Sequence, residues 1–311
     1  MGALLLRCAL LALAAGLVAA RGGGGGGAGA AGRLSPNYYR HSCPRVERIV
    51  ADVVAAKQRA NPSTAAGTLR LFFHDCFVGG CEALGPRLPA LRRPVALEVA
   101  CPGTVSCADI LALAARDLVG ILGGPRFPVA LGRRDARRSD ARDVEGNLPR
   151  TNMSARAMAV LFARKGFTPR ELVALAGAHT VGFSHCGEFA HRLYSFRSAD
   201  GYDPSLNPAF ARALQSSCAN YRSDPTISIF NDIMTPGKFD EVYFKNLPRG
   251  LGLLASDAAL WEYPATRVFV QRYADNRTAF FEDFAAAMQK LGAVGVKTGR
   301  QGVVRRHCDV L

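Results

Sequence analysis

In the stretch Arg70-Leu71-Phe72-Phe73-His74-Asp75-Cys76, two side chains could do chemistry together. Arg70 and His74 stand four residues apart, so on a helix both leave the same face. A guanidinium that is always charged, beside an imidazole able to take and return a proton, suits the activation of a small polar oxidant. Phe73 borders the pair with an apolar wall, and Asp75 opens a short loop between Cys76 and Cys81. The same residues also fit a surface arginine and a satisfied core histidine on a disulfide-anchored helix. A second histidine lies in Ala176-Gly177-Ala178-His179-Thr180-Val181-Gly182, where small neighbours let a large group approach the backbone. A planar cofactor over the imidazole accounts for that pattern. A helix C-terminus whose histidine faces the dipole accounts for it as well.

The elements that must position these residues are helical. Val46, Ile49, Val50, Val53 and Val54 mark an apolar stripe that stops at Asn61-Pro62. A second helix is expected over 105–122, closed by Gly123-Gly124-Pro125, and a third over 154–165, ended by Gly166. Thr168-Pro169-Arg170-Glu171 reads as a capping box with proline at the first helical position, opening the short helix that leads to His179. Residues 267–291 carry one long amphipathic pattern. With no internal repeat and few runs of strand period, the expectation is all-α: one domain, too long and irregular for a simple four-helix bundle.

Residues 1–20 read as a secretory signal, with Met1 and Arg7 ahead of an apolar stretch and Val18-Ala19-Ala20 as the cleavage site. Residues 21–32 are nearly all Gly and Ala and are expected to be disordered, so the folded domain is placed at 33–311. No later apolar run is long enough to span a bilayer. Eight cysteines follow the leader: Cys43, Cys76, Cys81, Cys101, Cys107, Cys186, Cys218 and Cys308. An even number in a secreted chain implies four disulfides, and the absence of any CxxC argues against the alternative of metal ligation. Spacing alone leaves the connectivity open. Asn152-Met153-Ser154 and Asn276-Arg277-Thr278 are glycosylation sequons. The formal charge of +14 points to polyanionic surroundings, and with scattered arginines and no nucleic-acid module, acidic cell-wall polysaccharide is the expected counter-charge.

Taken together, these segments resemble the class III secretory plant peroxidases, which are haem enzymes. The resemblance is carried by Arg70 to Cys76, Cys101-Pro102-Gly103-Thr104-Val105-Ser106-Cys107-Ala108-Asp109, Leu131-Gly132-Arg133-Arg134-Asp135, Leu172 to Thr180, and Phe239-Asp240. It runs from about Leu34 to Cys308. It implies an all-helical domain whose distal and proximal halves enclose haem b, with His74 as distal base, Arg70 as charge stabiliser and His179 as axial ligand. It implies that Asp257 accepts the other ring N–H of that ligand and that Pro149 borders the aromatic-donor site. It also implies pairing of Cys43 with Cys101, Cys76 with Cys81, Cys107 with Cys308 and Cys186 with Cys218. The expected partners are hydrogen peroxide and small phenolic donors, and the expected state is a secreted monomer of the cell wall or vacuole.

The resemblance further implies two calcium sites. The proximal one maps onto Thr180, Asp232, Thr235 and Asp240, with the Lys238 carbonyl. The distal one maps onto Asp75, the carbonyls of Val78 and Gly80, and Glu82 in place of the family's aspartate, while Leu84 supplies no side-chain oxygen. Between Cys81 and Cys101 the chain is markedly shorter than the family pattern. The missing segment normally brings the asparagine that hydrogen-bonds the distal histidine. Two functions follow: a working peroxidase with weakened distal support, or a catalytically impaired, peroxidase-like secreted protein that binds the wall. A non-haem hydrolase lacks any nucleophile motif.

Overall fold

Valines at helical spacing make the first helix. α1 (Val46–Ala60) buries Val46, Val50 and Val54 along one stripe, and Asn61 takes an extended backbone (φ −143°, ψ 105°) ahead of Pro62. The computed structural model describes residues 34–81 and 95–308 apart from Ser139, Ser195 and Ala199. The expected leader, the Gly/Ala-rich stretch, Glu82, Leu84 and the rest of 82–94 lie outside the described residues. α2 (Thr64–Val78) carries Arg70 and His74 and buries Leu69, Phe72, Cys76 and Phe77. After a short α3 (Val95–Ala100) comes α4 (Cys107–Ile121), buried on nearly every face between Cys107 and Ala115. Its Ala- and Leu-rich composition permits that, and α1 and α2 both pack on it.

The start of α4 is held from a distance. The Asp135 carboxylate accepts from Cys107 N at 3.1 Å and Ala108 N at 2.9 Å, placing negative charge on the helix N-terminus. Asp109, fully buried, accepts from Tyr39 Oη at 2.8 Å and Gly132 N at 2.7 Å, and pairs with the buried Arg133 at 2.9 Å. The motif from Leu131 to Asp135 is therefore structural: its charges tie the loop to α4.

In the second half, α5 (Ala155–Arg164) is capped by Ser154, and α6 (Pro169–Ala176) carries the expected capping box, with both reciprocal bonds formed. The long amphipathic pattern over 267–291 is divided between two helices, α11 (Pro264–Asp275) and α12 (Arg277–Leu291). Asn276 breaks them with a β backbone, and its side chain caps α12 by accepting from Ala279 N at 2.9 Å. Both helices pack on α6, so the apolar period continues through the break and conceals it. Two short strands, β1 (Phe183–His185) and β2 (Ser228–Phe230), pair antiparallel with Phe183 opposite Phe230. A satellite core gathers Phe189, Leu193, Phe210 and Leu214 from α7 (Ala190–Tyr194), α8 (Pro208–Ser217) and the turn before them. α9 (Val242–Asn246) and α10 (Ala255–Glu262) complete the helices.

All eight expected disulfide cysteines pair as the resemblance implied: Cys43–Cys101, Cys76–Cys81, Cys107–Cys308 and Cys186–Cys218. No thiolate among them is left for zinc. Among the described residues no helix is long and apolar enough to cross a membrane.

Arg192, 1% exposed, anchors the satellite core. Its guanidinium meets Asp203 at 2.8 Å and donates to the carbonyls of Gly252 and Leu253, each at 2.7 Å. Arg192→Ala leaves the Asp203 carboxylate without its partner and should cost about 3–5 kcal/mol, read as a lower midpoint in chemical denaturation. A loss below about 1 kcal/mol would place the pair among ordinary surface ion pairs.

Candidate active site

α2 presents one face to the core and another to open space. Gly67, Arg70 and His74 fall together on the open side, where a methyl group added at Gly67 would meet nothing within 4 Å. Arg70 is exposed and His74 half-buried. Phe73 stands edge-on to His74 with ring centroids 6.4 Å apart and stacks on Phe77 at 4.7 Å, forming the expected apolar wall. Burial, reinforced by the Arg70 charge, pushes the His74 pKa down to about 4. The ring is therefore a neutral proton acceptor across the ordinary pH range. Among the described residues it has no hydrogen-bond partner.

His179 is presented by a 3-10 turn, Gly177–Thr180, at the end of α6. The small residue at 177 serves packing and not the approach of a cofactor, because a Cβ there would collide with the rings of Phe280 and Phe244. His179 Nδ1 lies 2.9 Å from Asp257 Oδ1, and the Tyr243 hydroxyl donates to the same oxygen at 3.0 Å. Asp257 is 2% exposed, and its Oδ2 has no hydrogen-bond partner among the described residues. Burial would lower the His179 pKa, but the charge and hydrogen bond of Asp257 outweigh it and raise the value, with Arg70 opposing. Although enclosed by the fold, the His179 side chain keeps 41% of its surface open. Nε2 makes no hydrogen bond among the described residues.

The Arg70 charge acts on both imidazoles. Gly182, three residues past His179, lies so close to α2 that a Cβ would come within 2.8 Å of Ala66 Cβ. An enclosed imidazole with one nitrogen fixed, the other unengaged and a protein cation opposite it fits a planar group ligated at Nε2. Pro149 lies half-buried in the loop before α5. Two residues on, Thr151 O accepts from Ser256 N at 2.8 Å, tying that loop to the start of α10 beside Asp257. The groove of about 540 Å³ along α5 and that of about 670 Å³ between α1 and α4 include none of Arg70, His74 and His179.

The four residues expected at the proximal calcium site converge. Thr235 Oγ1 lies 3.1 Å from Asp232 Oδ2 and 3.0 Å from Asp240 Oδ1, while Thr180 Oγ1 is 3.5 Å from each carboxylate and 3.2 Å from the Lys238 carbonyl. Asp232 and Asp240 are buried, and neither has an ion-pair partner among the described residues. Two buried carboxylates without a counter-cation, ringed by hydroxyl and carbonyl oxygens, fit a hard divalent cation. No cluster of three or more His, Cys, Asp or Glu side chains occurs among the described residues, so a cation here would rely on mixed oxygens. On the distal side Asp75 is buried, and the Val78 carbonyl is met by Lys165 Nζ at 3.4 Å. Sequence reasoning missed that lysine. It also missed Tyr243, whose only signal was a phenol in the apolar run Val242-Tyr243-Phe244, where a buried hydroxyl needs a partner.

The family model described as Peroxidase matches residues 50–85 and 93–276. The chain belongs to the plant peroxidases. Among relatives from Arabidopsis thaliana, Peroxidase 65 is 52% identical over 299 residues, covering 89% of this chain and 88% of its own. Peroxidase 41 is 51% identical over 299 residues, with coverage of 89% and 90%. Peroxidase 31 is 48% identical over 305 residues, with coverage of 91% and 95%. The break in the family match falls inside the segment where the sequence departs from the pattern. The aligned length of 299 also exceeds the 89% of this 311-residue chain that it spans, so the relatives carry residues this peroxidase lacks.

In the folded peroxidase, NMR of the His74 ring should show it neutral down to about pH 4. The unfolded imidazole protonates near 6.5, so folding stability from this group should drain as pH falls from 6.5 toward 4. A folded-state midpoint near 6.5 would show that neither burial nor Arg70 acts on the ring.

Proposed function

We propose that this peroxidase is a secreted haem enzyme that reduces hydrogen peroxide and oxidises phenolic donors in one-electron steps, contributing to peroxide catabolism and the response to oxidative stress. The observation that carries this reading is the opposed electrostatics of two histidines that one guanidinium, Arg70, acts on. His74 is held neutral beside a cation, and His179 is held against a buried carboxylate. His179 would hold the iron of haem b through Nε2, with Arg70 and His74 of α2 acting on the peroxide bound there. When bound, the haem supplies the redox centre that stores the oxidising power of peroxide and releases it one electron at a time.

The chain's own residues do the rest. His74 takes the proton from one peroxide oxygen and returns it to the other, so that water can leave, a contribution of roughly 10²–10⁴-fold. Arg70 places fixed positive charge where negative charge grows as the O–O bond breaks. Asp257 draws on the Nδ1 proton of His179 and makes Nε2 a stronger donor. Pro149, in the loop tied to α10, borders the approach of phenols, and a shallow site of this kind favours breadth over narrow specificity.

Thr180, Asp232, Thr235, Asp240 and the Lys238 carbonyl would hold calcium on the His179 side. The distal set of Asp75, Val78, Gly80 and Glu82 is the weaker one: Lys165 donates to the Val78 carbonyl and brings positive charge there, and Leu84 offers no side-chain oxygen. The leader over 1–20, the four disulfides and the sequons at Asn152 and Asn276 support export to the wall as a monomer, with acidic polysaccharide as counter-charge for the +14 chain. Retention of Arg70, His74, His179 and Asp257 favours catalysis over an inert wall-binding scaffold. The shortened segment after Cys81 leaves His74 without the family's asparagine, so its reaction with peroxide should be slower than in relatives that keep it.

Residues 33–311 reconstituted with haem and calcium should show a Soret band and peroxide-dependent oxidation of a simple phenol such as guaiacol. His179→Ala should lose the band, and His74→Leu should slow the peroxide step by roughly 10²–10⁴-fold in stopped flow. A wild-type protein that binds haem yet oxidises no phenol would refute the enzyme reading. Calorimetric titration should find one tight calcium site that Asp232→Ala removes. Two equally tight sites would show that the distal set is intact.

A further inference from the structure

Tyr243 belongs to the His179 network, yet the catalytic reading leaves it without a role. Its hydroxyl donates to Asp257 Oδ1 at 3.0 Å, the oxygen that His179 Nδ1 meets at 2.9 Å. The other carboxylate oxygen, Oδ2, is buried with no hydrogen-bond partner among the described residues. Two donors therefore load one oxygen. Hydrogen bonds to a shared acceptor compete for its electron density, so whatever Tyr243 takes is withheld from His179.

The hydroxyl is held there firmly. Tyr243 is 1% exposed, and its ring stands edge-on to His179, with centroids 6.2 Å apart at 89°, and edge-on to Phe244 at 5.0 Å. One turn further along α9, Asn246 Nδ2 donates to Asp232 Oδ1 at 2.8 Å, anchoring the same short helix to the oxygen cage. A five-residue helix pinned at one end by Asp257 and at the other by Asp232 has little freedom to withdraw the phenol.

We propose that Tyr243 is a positioning residue that moderates the pull of Asp257 on the His179 Nδ1–H, and so sets the electron density delivered to whatever His179 Nε2 ligates. The inference rests on His179 being the axial ligand of haem iron. Removing the hydroxyl would leave Oδ1 to His179 alone, give the imidazole more anionic character and favour the oxidised metal.

The test uses the full haem-loaded chain. In Tyr243→Phe, resonance Raman of the ferrous protein should show the iron–imidazole stretch shifted up, and potentiometry should show a lower reduction potential. Replacing Tyr243 with 3,5-difluorotyrosine, which keeps the ring and makes a stronger donor, should move both readings the other way. Asp257→Asn, which removes the acceptor's charge, should shift the stretch down. Opposite shifts from the two Tyr243 replacements support the proposal, since a purely packing role would move neither. If Tyr243→Phe fails to fold, the fluorinated protein still decides. A wild-type protein without an iron–imidazole band overturns both the axial role of His179 and this inference. A wild-type band that stays put in the Tyr243 replacements overturns the inference alone.

Discussion

The hydrogen bond between His179 and the buried Asp257 is the constraint on which the rest of the site depends. A carboxylate with one oxygen lacking a hydrogen-bond partner among the described residues is costly to bury, and it persists only where its surroundings fix it. Here they do. The start of α10 is tied to the Pro149 loop through Thr151 and Ser256, α9 brings Tyr243 to the same oxygen, and the turn bearing His179 is wedged over Phe244 and Phe280. Thr180, the next residue, reaches into the Asp232–Asp240 cage. The imidazole is fixed by its own hydrogen bond, by the packing beneath it and by the oxygens beside it.

The opposite wall is built more sparely. α2 is rigid because its buried side packs on α4 and its last turn is stapled by Cys76–Cys81, but His74 gains its character from burial and one neighbouring charge and not from a hydrogen bond within the described residues. Such a base depends on how well water is kept from it, since solvation would restore its ordinary proton affinity. The two halves thus reach their electrostatics by different means. A hydrogen-bonded counter-charge acts on one side, and exclusion of solvent on the other.

Much of this was legible in the residues. Local signals gave α1, α5 and the capping box of α6 because their stops and caps are short-range: Asn61 before Pro62, Ser154 at its N-cap, Thr168 with Glu171. The pair Arg70 and His74 followed from helical spacing, and the disulfide pattern from resemblance. What was not legible depended on distant partners. The break at Asn276 is hidden because α11 and α12 bury against the same helix, so the apolar period never lapses. Gly177 looked like room for a cofactor, but the space belongs to two phenylalanines, one of them about a hundred residues further along the chain. Tyr243 and Lys165 act through bonds to Asp257 and Val78 that no local pattern announces.

The bond between Cys107 and Cys308 spans 201 residues and joins the first turn of α4 to the last described residue. Chains emerge from their amino end, so Cys107 is made long before its partner exists. Cys76–Cys81 and Cys43–Cys101, with separations of 5 and 58, can close while synthesis continues. Cys107 must stay reduced, or be freed again by exchange, until Cys308 has been made. The helix at the centre of the molecule therefore waits on a cysteine two hundred residues downstream, and closure of this bond reports that the downstream segment has been made.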